Sequence, residues 1–436
     1  MNPTPRSTEL ALLLVAALVT VGAYALAGLG ETASLPANLL PFLFTVLGLF
    51  AVAHIVVRRF APNADPTILP IVGLLNGLGY AVIARLDADL AGLQSTWTAL
   101  AVIAFAATLI MVKRAIDLER YRYLVALAGI GLLLLPLAPG IGTTKNGARL
   151  WVELGPFSFQ PGELAKLALA IFFASYLVER RELLAPGGLP THALAARARA
   201  MGPLLAAWAL SLVVMIAERD LGSSTLFFAL FVGMLWMAAG GVGWPLLGAG
   251  MFAGGSLFAV SIFSHVKARI DTWIDPWSDA AGAGFQLVQA TFAFAAGGTV
   301  GVGLAKGRPD RIPAATTDLI FAAIGEELGL VGSAAVIAAF MLLVAAGLRI
   351  AMRAHRPFDQ LLAAGLTLIL GVQSFLIIGG VTRVLPLTGI TLPFVSYGGS
   401  SLVANWILVA ILLRISATPA PTTRDIAARP AQQVAA

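Results

Sequence analysis

Long apolar runs separated by short polar stretches dominate this chain. Runs of about 20 residues, each long enough to cross the hydrocarbon of a bilayer as a helix, recur near residues 10–29, 38–57, 68–84, 95–112, 123–138, 163–178, 201–217, 222–239, 243–262, 328–348, 359–380 and 391–413. The pattern predicts an all-α, polytopic integral membrane protein of twelve helices. The first run follows Arg6 but exceeds the apolar core of a signal peptide, and more runs follow, so it reads as an uncleaved first helix. Pro and Ala enrichment from Ala417 onward predicts a disordered tail over 417–436.

The pattern breaks once at length, over residues 263–326. Within that stretch 285–305 (FQLVQATFAFAAGGTVGVGLA) is apolar enough for a thirteenth span, but its two Gln and several Gly suit a helix lying on, or dipping into, the membrane surface. Lys and Arg then set the orientation. With both termini cytoplasmic, the inner segments hold seventeen Lys and Arg, from Arg6 to Arg429, against five in the short outer loops (Arg85, Lys145, Arg149, Arg219, Arg383). The 263–326 loop is therefore expected outside.

Charged residues make up 11% of the chain, against roughly 25% in a soluble domain. The formal net charge of +6 belongs to the inner loops, not to a nucleic-acid surface. With no Cys and four scattered His, the chain excludes disulfides, thiolate chemistry and a histidine metal site. Asp87-Ala-Asp89 sits in a short loop and reads as solvated rather than as a metal-binding DxD.

An acid beside a bilayer needs something to compensate its desolvation and is a functional candidate by default. Asp318 leads, because it follows a polar loop and precedes a long apolar helix. Glu163 and Lys166, three apart after Pro161, share a helical face; the pair either fixes helix register or takes part in function. Asp220 can cap the helix after it. Near the last span Ser396, Tyr397, Ser400 and Ser401 surround Gly398 and Gly399, a pattern that serves either tight helix packing or a break whose amides face a ligand.

The segments NGARLWVELGPFSFQPGELAK, ERDLGSS, RIDTWIDPWSDAAGAGFQ, IPAATTDLIFAAIGEELGLVG and LPLTGITLPFVSYGGSS, in this order over about residues 125–415, resemble the SEDS family, the FtsW, RodA and sporulation type of polytopic glycosyltransferases. The wording around ERDLGSS, GGVTRVLPLTG and LVANW is most similar to RodA-type members of actinobacteria. The resemblance implies N-terminal helices over 1–122, including two spans beyond a ten-helix family core, and a catalytic membrane unit over 123–416. It also implies a peptidoglycan polymerase working on lipid II, a lipid-linked disaccharide precursor, outside the plasma membrane in elongation or division, with a class B penicillin-binding protein as partner. Asp318 matches the acid required for polymerisation and would be the general base. Arg149, Glu163, Lys166, Asp220, Glu326, Glu327, Ser396 and Ser400 match positions that would bind substrate. The leaving diphosphate calls for Arg, Lys or a divalent cation, magnesium or manganese; no organic cofactor is implied.

The chain departs from the family pattern in four places. Gly162 replaces a serine, Glu218-Arg219 replace Gln-Pro, Leu150 separates Arg149 from Trp151, and Gly379-Gly380 stand where many members have Asn. A helix cap is the plain alternative for Asp318. For the whole protein the alternatives are a lipid-linked precursor flippase, which should show repeat symmetry between its halves, and a pure scaffold, which leaves Glu163 and Lys166 without a task.

Overall fold

The computed structural model describes residues 5–36, 39–145, 148–155, 157–184 and 193–418; from residue 419 on, the predicted tail lies outside them. Helices α1 (Pro5–Thr32), α2 (Leu39–Phe60), α3 (Ile68–Leu86), α4 (Ala88–Met111), α5 (Ile116–Glu119) and α6 (Arg122–Leu134) lead into strands β1 (Gly142–Lys145), β2 (Ala148–Leu154) and β3 (Phe157–Phe159). There follow α7 (Gly162–Glu179), α8 (Arg181–Leu184), α9 (Ala193–Glu218), α10 (Leu221–Ala239), α11 (Gly243–Ile262), α12 (Ser264–Ile274), α13 (Phe285–Gly297), α14 (Ile320–Arg353), α15 (Pro357–Val381) and α16 (Gly399–Ser416).

Among the described residues ten helices, α1–α4, α9–α11 and α14–α16, are long and apolar enough to cross a membrane. The other two predicted runs fall on α6, apolar but shorter, and on α7, which carries Glu163 and Lys166. The protein is an all-α polytopic membrane protein. Helices α15 and α16 form its buried centre, packed on α7, α10, α14 and α4. Helix α11 is almost wholly exposed, presenting Leu246, Leu247, Leu257 and Phe258 outward, as a lipid-facing helix must.

Three features differ from the pattern-based expectation. The last helix begins at Gly399 rather than near 391, and residues 382–398 run as irregular backbone. The segment before α7 folds into an antiparallel sheet in the order β1-β2-β3, with Gly142 opposite Val152 and Val152 opposite Phe159; nothing in the apolar pattern announces it. Helix α14 starts at Ile320, directly after Asp318 as expected, but is not continuous with the apolar run from 328: it breaks at Gly329, whose φ of 66° suits glycine.

The break in α14 explains what α13 does. At 13 residues, α13 is about 20 Å long, too short for a hydrocarbon core of about 30 Å. It packs instead on α14. The chain leaving it supplies the bonds that the break removes. Val302 and Gly303 N–H donate to the Glu326 and Glu327 carbonyls (3.0 Å each), and Leu330 and Val331 N–H donate to Gly298 and Thr299 (2.9 and 3.1 Å). Broken helical backbone is tolerated beside a membrane where protein satisfies it in this way.

One end of the bundle holds Arg122, Arg349 and Arg414, all predicted to be cytoplasmic. Arg349 pairs with Asp65 at 3.1 Å, Arg122 pairs with Glu179, and Arg414 donates to the Phe60 and Leu109 carbonyls. The opposite end holds Arg85, Arg269 and Asp318.

Candidate active site

The irregular segment 382–398 is the platform of the site. Helix α12 is fastened to it: Trp273 Nε1 donates to the Arg383 carbonyl (3.0 Å), Arg383 Nη2 donates back to Trp273 (3.2 Å), and Arg269 Nη1 donates to the Leu387 and Thr388 carbonyls (3.1 and 2.9 Å). From the other side Ser396 Oγ donates to the Thr317 carbonyl (2.7 Å) and accepts from Leu392 N–H (2.9 Å), while Tyr397 N–H donates to Thr316 (2.8 Å). These bonds fix the turn that carries Asp318. Ser400 Oγ accepts from Gln160 N–H at 2.8 Å and ties the start of α16 to the entry of α7.

Gly389 marks where the functional groups converge. A Cβ there would lie 3.7 Å from Asp318 Oδ2 and 3.8 Å from Arg269 Nη2, and its φ of 77° also favours glycine. A larger residue would part Asp318 from the guanidinium. Asp318 does not cap its helix: the N-cap of α14 is Leu319, without a side-chain cap bond. Burial pushes the Asp318 carboxyl up to about 6, with Asp220 adding to the rise and with the Thr317 hydroxyl and Arg269 opposing it.

Asp220 does cap. Its Oδ1 accepts from Ser223 N–H at 2.9 Å at the start of α10. Burial raises its carboxyl, Glu163 adds to the rise, and the bond from Ser223 and the charge of Arg269 oppose it. Lys166, 1% exposed, is fully engaged, with Nζ 2.6 Å from Glu163 Oε2 and 2.7 Å from Gln373 Oε1. Gln373 Nε2 in turn donates to the Thr391 carbonyl at 2.9 Å. The buried pair thus ends on the platform, which Ser396 joins to the Asp318 turn. Bonds through the platform link Glu163 and Lys166 to Ser396 and the turn that carries Asp318, while Asp220 caps α10 and Ser400 ties α16 to α7.

Three predicted residues stand apart from the site. Arg149 Nη2 donates to the Ala138 carbonyl (3.1 Å) and pins β2 to the end of α6. Glu326 Oε1 accepts from Arg308 N–H (2.9 Å), and Glu327 lies 3.5 Å from Arg85. Those two acids hold the 298–308 segment and are not placed against Asp318. Arg269, Gln373 and Gly389 were missed. Arg269 stood in the RIDTWIDP segment among other charges, and only the fold shows that it shares the Gly389 corner with Asp318.

The departures have local causes. Arg219 sits at φ 61°, a conformation proline cannot adopt. Leu150 places Arg149 and Trp151 two apart on β2, hence on one face. Gly379 accepts from Val384 and Leu385 N–H (2.8 and 3.0 Å), so the platform lies directly on the end of α15. Gly399 serves close packing, since a Cβ there would meet the Trp97 ring at 2.0 Å. Asp87 is the N-cap of α4, accepting from Asp89 and Leu90 N–H.

The family model of the FtsW, RodA and SpoVE cell cycle proteins matches residues 68–420. The chain is 45% identical over 428 residues to the peptidoglycan glycosyltransferase RodA of Mycobacterium tuberculosis, covering 95% of this chain and 91% of that one. It is 38% identical over 310 residues to a probable peptidoglycan glycosyltransferase FtsW of Nitrosococcus halophilus, covering 68% and 75%. Among solved structures it is similar to a chain of a peptidoglycan synthase complex that coordinates polymerization and crosslinking, with a TM-score of 0.66, 26% identity and coverage of 81% and 97%. A mutant of the Thermus thermophilus rod shape determining protein RodA aligns with a TM-score of 0.59, 25% identity and the same coverage.

Proposed function

Because the chain belongs to the FtsW, RodA and SpoVE family, we propose that Asp318 is the general base of a glycosyl transfer between lipid-linked sugars at the site formed by α7, α10, α12, α14, α15 and the 382–398 platform. The chain is a multi-pass membrane enzyme, a peptidoglycan glycosyltransferase. The substrates would be two molecules of lipid II, one donor and one acceptor, and the product a lengthening glycan strand for elongation or division.

The observation that carries the reading is Asp318 itself: it caps nothing, faces Arg269 across Gly389, and has a carboxyl pushed up to about 6. A base of that strength is still about 90% ionised at pH 7, yet binds a proton far better than a free aspartate. The acceptor hydroxyl oxygen attacks the anomeric carbon of the donor as its proton passes to Asp318. The bond to the diphosphate breaks, and the electron pair leaves with the diphosphate. Arg269, which flanks Gly389 together with Asp318, would receive that charge. Lys166, tied to Glu163 and Gln373, steadies the platform instead.

Among the described residues no three acid or His side chains gather as a metal site. A magnesium or manganese ion would accordingly be held by the substrate diphosphate with one or two carboxylates, where it would neutralise phosphate charge. The two-ended distribution of Arg supports cytoplasmic termini and an external 263–326 loop. A class B penicillin-binding protein is the proposed partner, in line with the similarity to a chain of a peptidoglycan synthase complex.

The test is polymer synthesis from lipid II by the full chain purified with its transpeptidase. Asp318→Asn should fold, bind the partner and make no polymer; near-normal polymer would dismiss Asp318 as the base.

A further inference from the structure

Helices α1 and α2 precede residue 68, where the family match begins, yet α1 is fastened along its whole length. At the end away from Asp318, the buried Glu9 is held by His54 Nδ1 at 2.6 Å and by Arg58, both on α2. Midway, Thr20 lies against α3 so closely that a Cβ on Gly77 would fall 2.1 Å from its Oγ1. At the other end, a Cβ on Gly30 would fall 2.2 Å from the Leu304 carbonyl oxygen and 3.2 Å from Ala305 Cβ. The outer tip of α1 thus rests directly on the 298–308 segment. Arg85 of α3 also approaches Glu327 there, Nε 3.5 Å from Oε1.

The 298–308 segment is more than a passing loop. Its amides complete the broken part of α14 through the Glu326 and Glu327 carbonyls, and Arg308 N–H is held by Glu326 Oε1. Gly307 packs on both glutamates, where a Cβ would sit 3.0 Å from Glu326 Cδ and 3.1 Å from Glu327 Cγ. The same stretch of α14, from Ile320 to Gly329, begins two residues after Asp318. We propose that the outer end of α1 is a positioning element for the reaction: Gly30, with Arg85 of α3, holds 298–308 in place, and 298–308 sets the first segment of α14 and with it the Asp318 turn. The inner Glu9 cluster gives α1 the fixed footing that such a strut needs. For its activity readout this inference rests on the polymerase reading.

The experiment compares two leucines on one helix in the full chain with its partner. Gly30→Leu pushes on Leu304, whereas Gly22→Leu enters a position with nothing within 4 Å. Gly30→Leu should lower the maximal polymer rate about tenfold or more, since small misplacements of a reacting group are expensive, with KM for lipid II within about twofold. Hydrogen exchange at the Val302 and Gly303 amides should quicken in the same variant. Gly22→Leu should leave both readouts at the wild-type level. Faster exchange with an unchanged rate would overturn the positioning role, and no change in either would overturn the contact itself. If Gly30→Leu loses its fold, Arg85→Met takes its place. It should show the same pair of effects and Arg85→Lys should recover most of the rate; an Arg85→Met enzyme with wild-type rate would overturn the inference. Asp318→Asn in the same assay should be inactive with wild-type exchange at 302 and 303, which separates a wrong base from a wrong strut.

Discussion

Replacing Asp318 by Asn should abolish catalysis and at the same time stabilise the protein, by an amount that depends on pH. The carboxyl moves from an ordinary 3.8 to about 6 on folding, mainly through burial. A raised carboxylate binds its proton more tightly in the folded state. Stability tied to the group is therefore complete below 3.8 and lost as pH rises through 6. The linkage relation gives a penalty of about 0.5 kcal/mol at pH 4, about 1.5 at pH 5 and about 3 at pH 8, as ceilings for a partly exposed group. Asn has nearly the same shape and no charge, so the variant escapes the penalty. Thermal unfolding of wild type and Asp318→Asn in one detergent, at pH 5 and pH 8, reads the difference. The variant should be the more stable at pH 8 by a few degrees, with the margin roughly halved at pH 5. The wild-type polymer rate should fall about tenfold per pH unit below 6, because the same ionisation makes the base. Equal margins at the two pH values, or a variant less stable at pH 8, would refute the argument that burial tunes this carboxyl.

Other predictions concern the groups around it. Lys166→Met strands Glu163 and should cost about 3–5 kcal/mol, while adding Glu163→Gln should recover most of that stability; a double variant no better than the single one, by unfolding and yield, would mean that the two do not compensate each other. Gln373→Leu breaks the link from Lys166 to Thr391 and should lower polymer rate more than partner binding; an unchanged rate would remove Gln373 from the site. Because the native chain has no Cys, Ser278→Cys in the exposed turn after α12 should react in intact cells with a membrane-impermeant maleimide. Labelling only after permeabilisation would reverse the proposed orientation.

Apolar run length was enough to read the helices, since a bilayer allows few ways to satisfy backbone. Where the backbone departs from helix, run length misled. Residues 391–398 (TLPFVSYG follows Ile390) are as apolar as a span, yet they form coil because Gln373 of α15, the Asp318 turn and the segment's own Ser396 supply their hydrogen bonds. The apolar run begins only at 328 because Glu326 and Glu327 are charged, yet the helix expected right after Asp318 does start there, with Arg85 beside Glu327 and the 298–308 amides bonded to the carbonyls of both acids. Asp318 was legible from its place between polar loop and apolar helix. Arg269 was not, because its role depends on two carbonyls 118 and 119 residues away.

That dependence suggests why the site is built on coil. A helix keeps its carbonyls for itself, whereas the 382–398 segment can offer Leu387, Thr388 and Thr391 to Arg269 and Gln373. These carbonyls lock side chains from two helices, Arg269 of α12 and Gln373 of α15, and the charged groups around them are committed: Lys166 to Glu163 and Gln373, Asp220 to Ser223, and Arg269 in part to the platform. Asp318 lies beside this lattice without a helix cap to make. Removing a committed group should loosen several elements at once and disturb folding along with rate. Removing Asp318 should leave the lattice standing and take away only the proton acceptor, which is the division of labour expected where one carboxylate performs the chemistry and the rest hold it still.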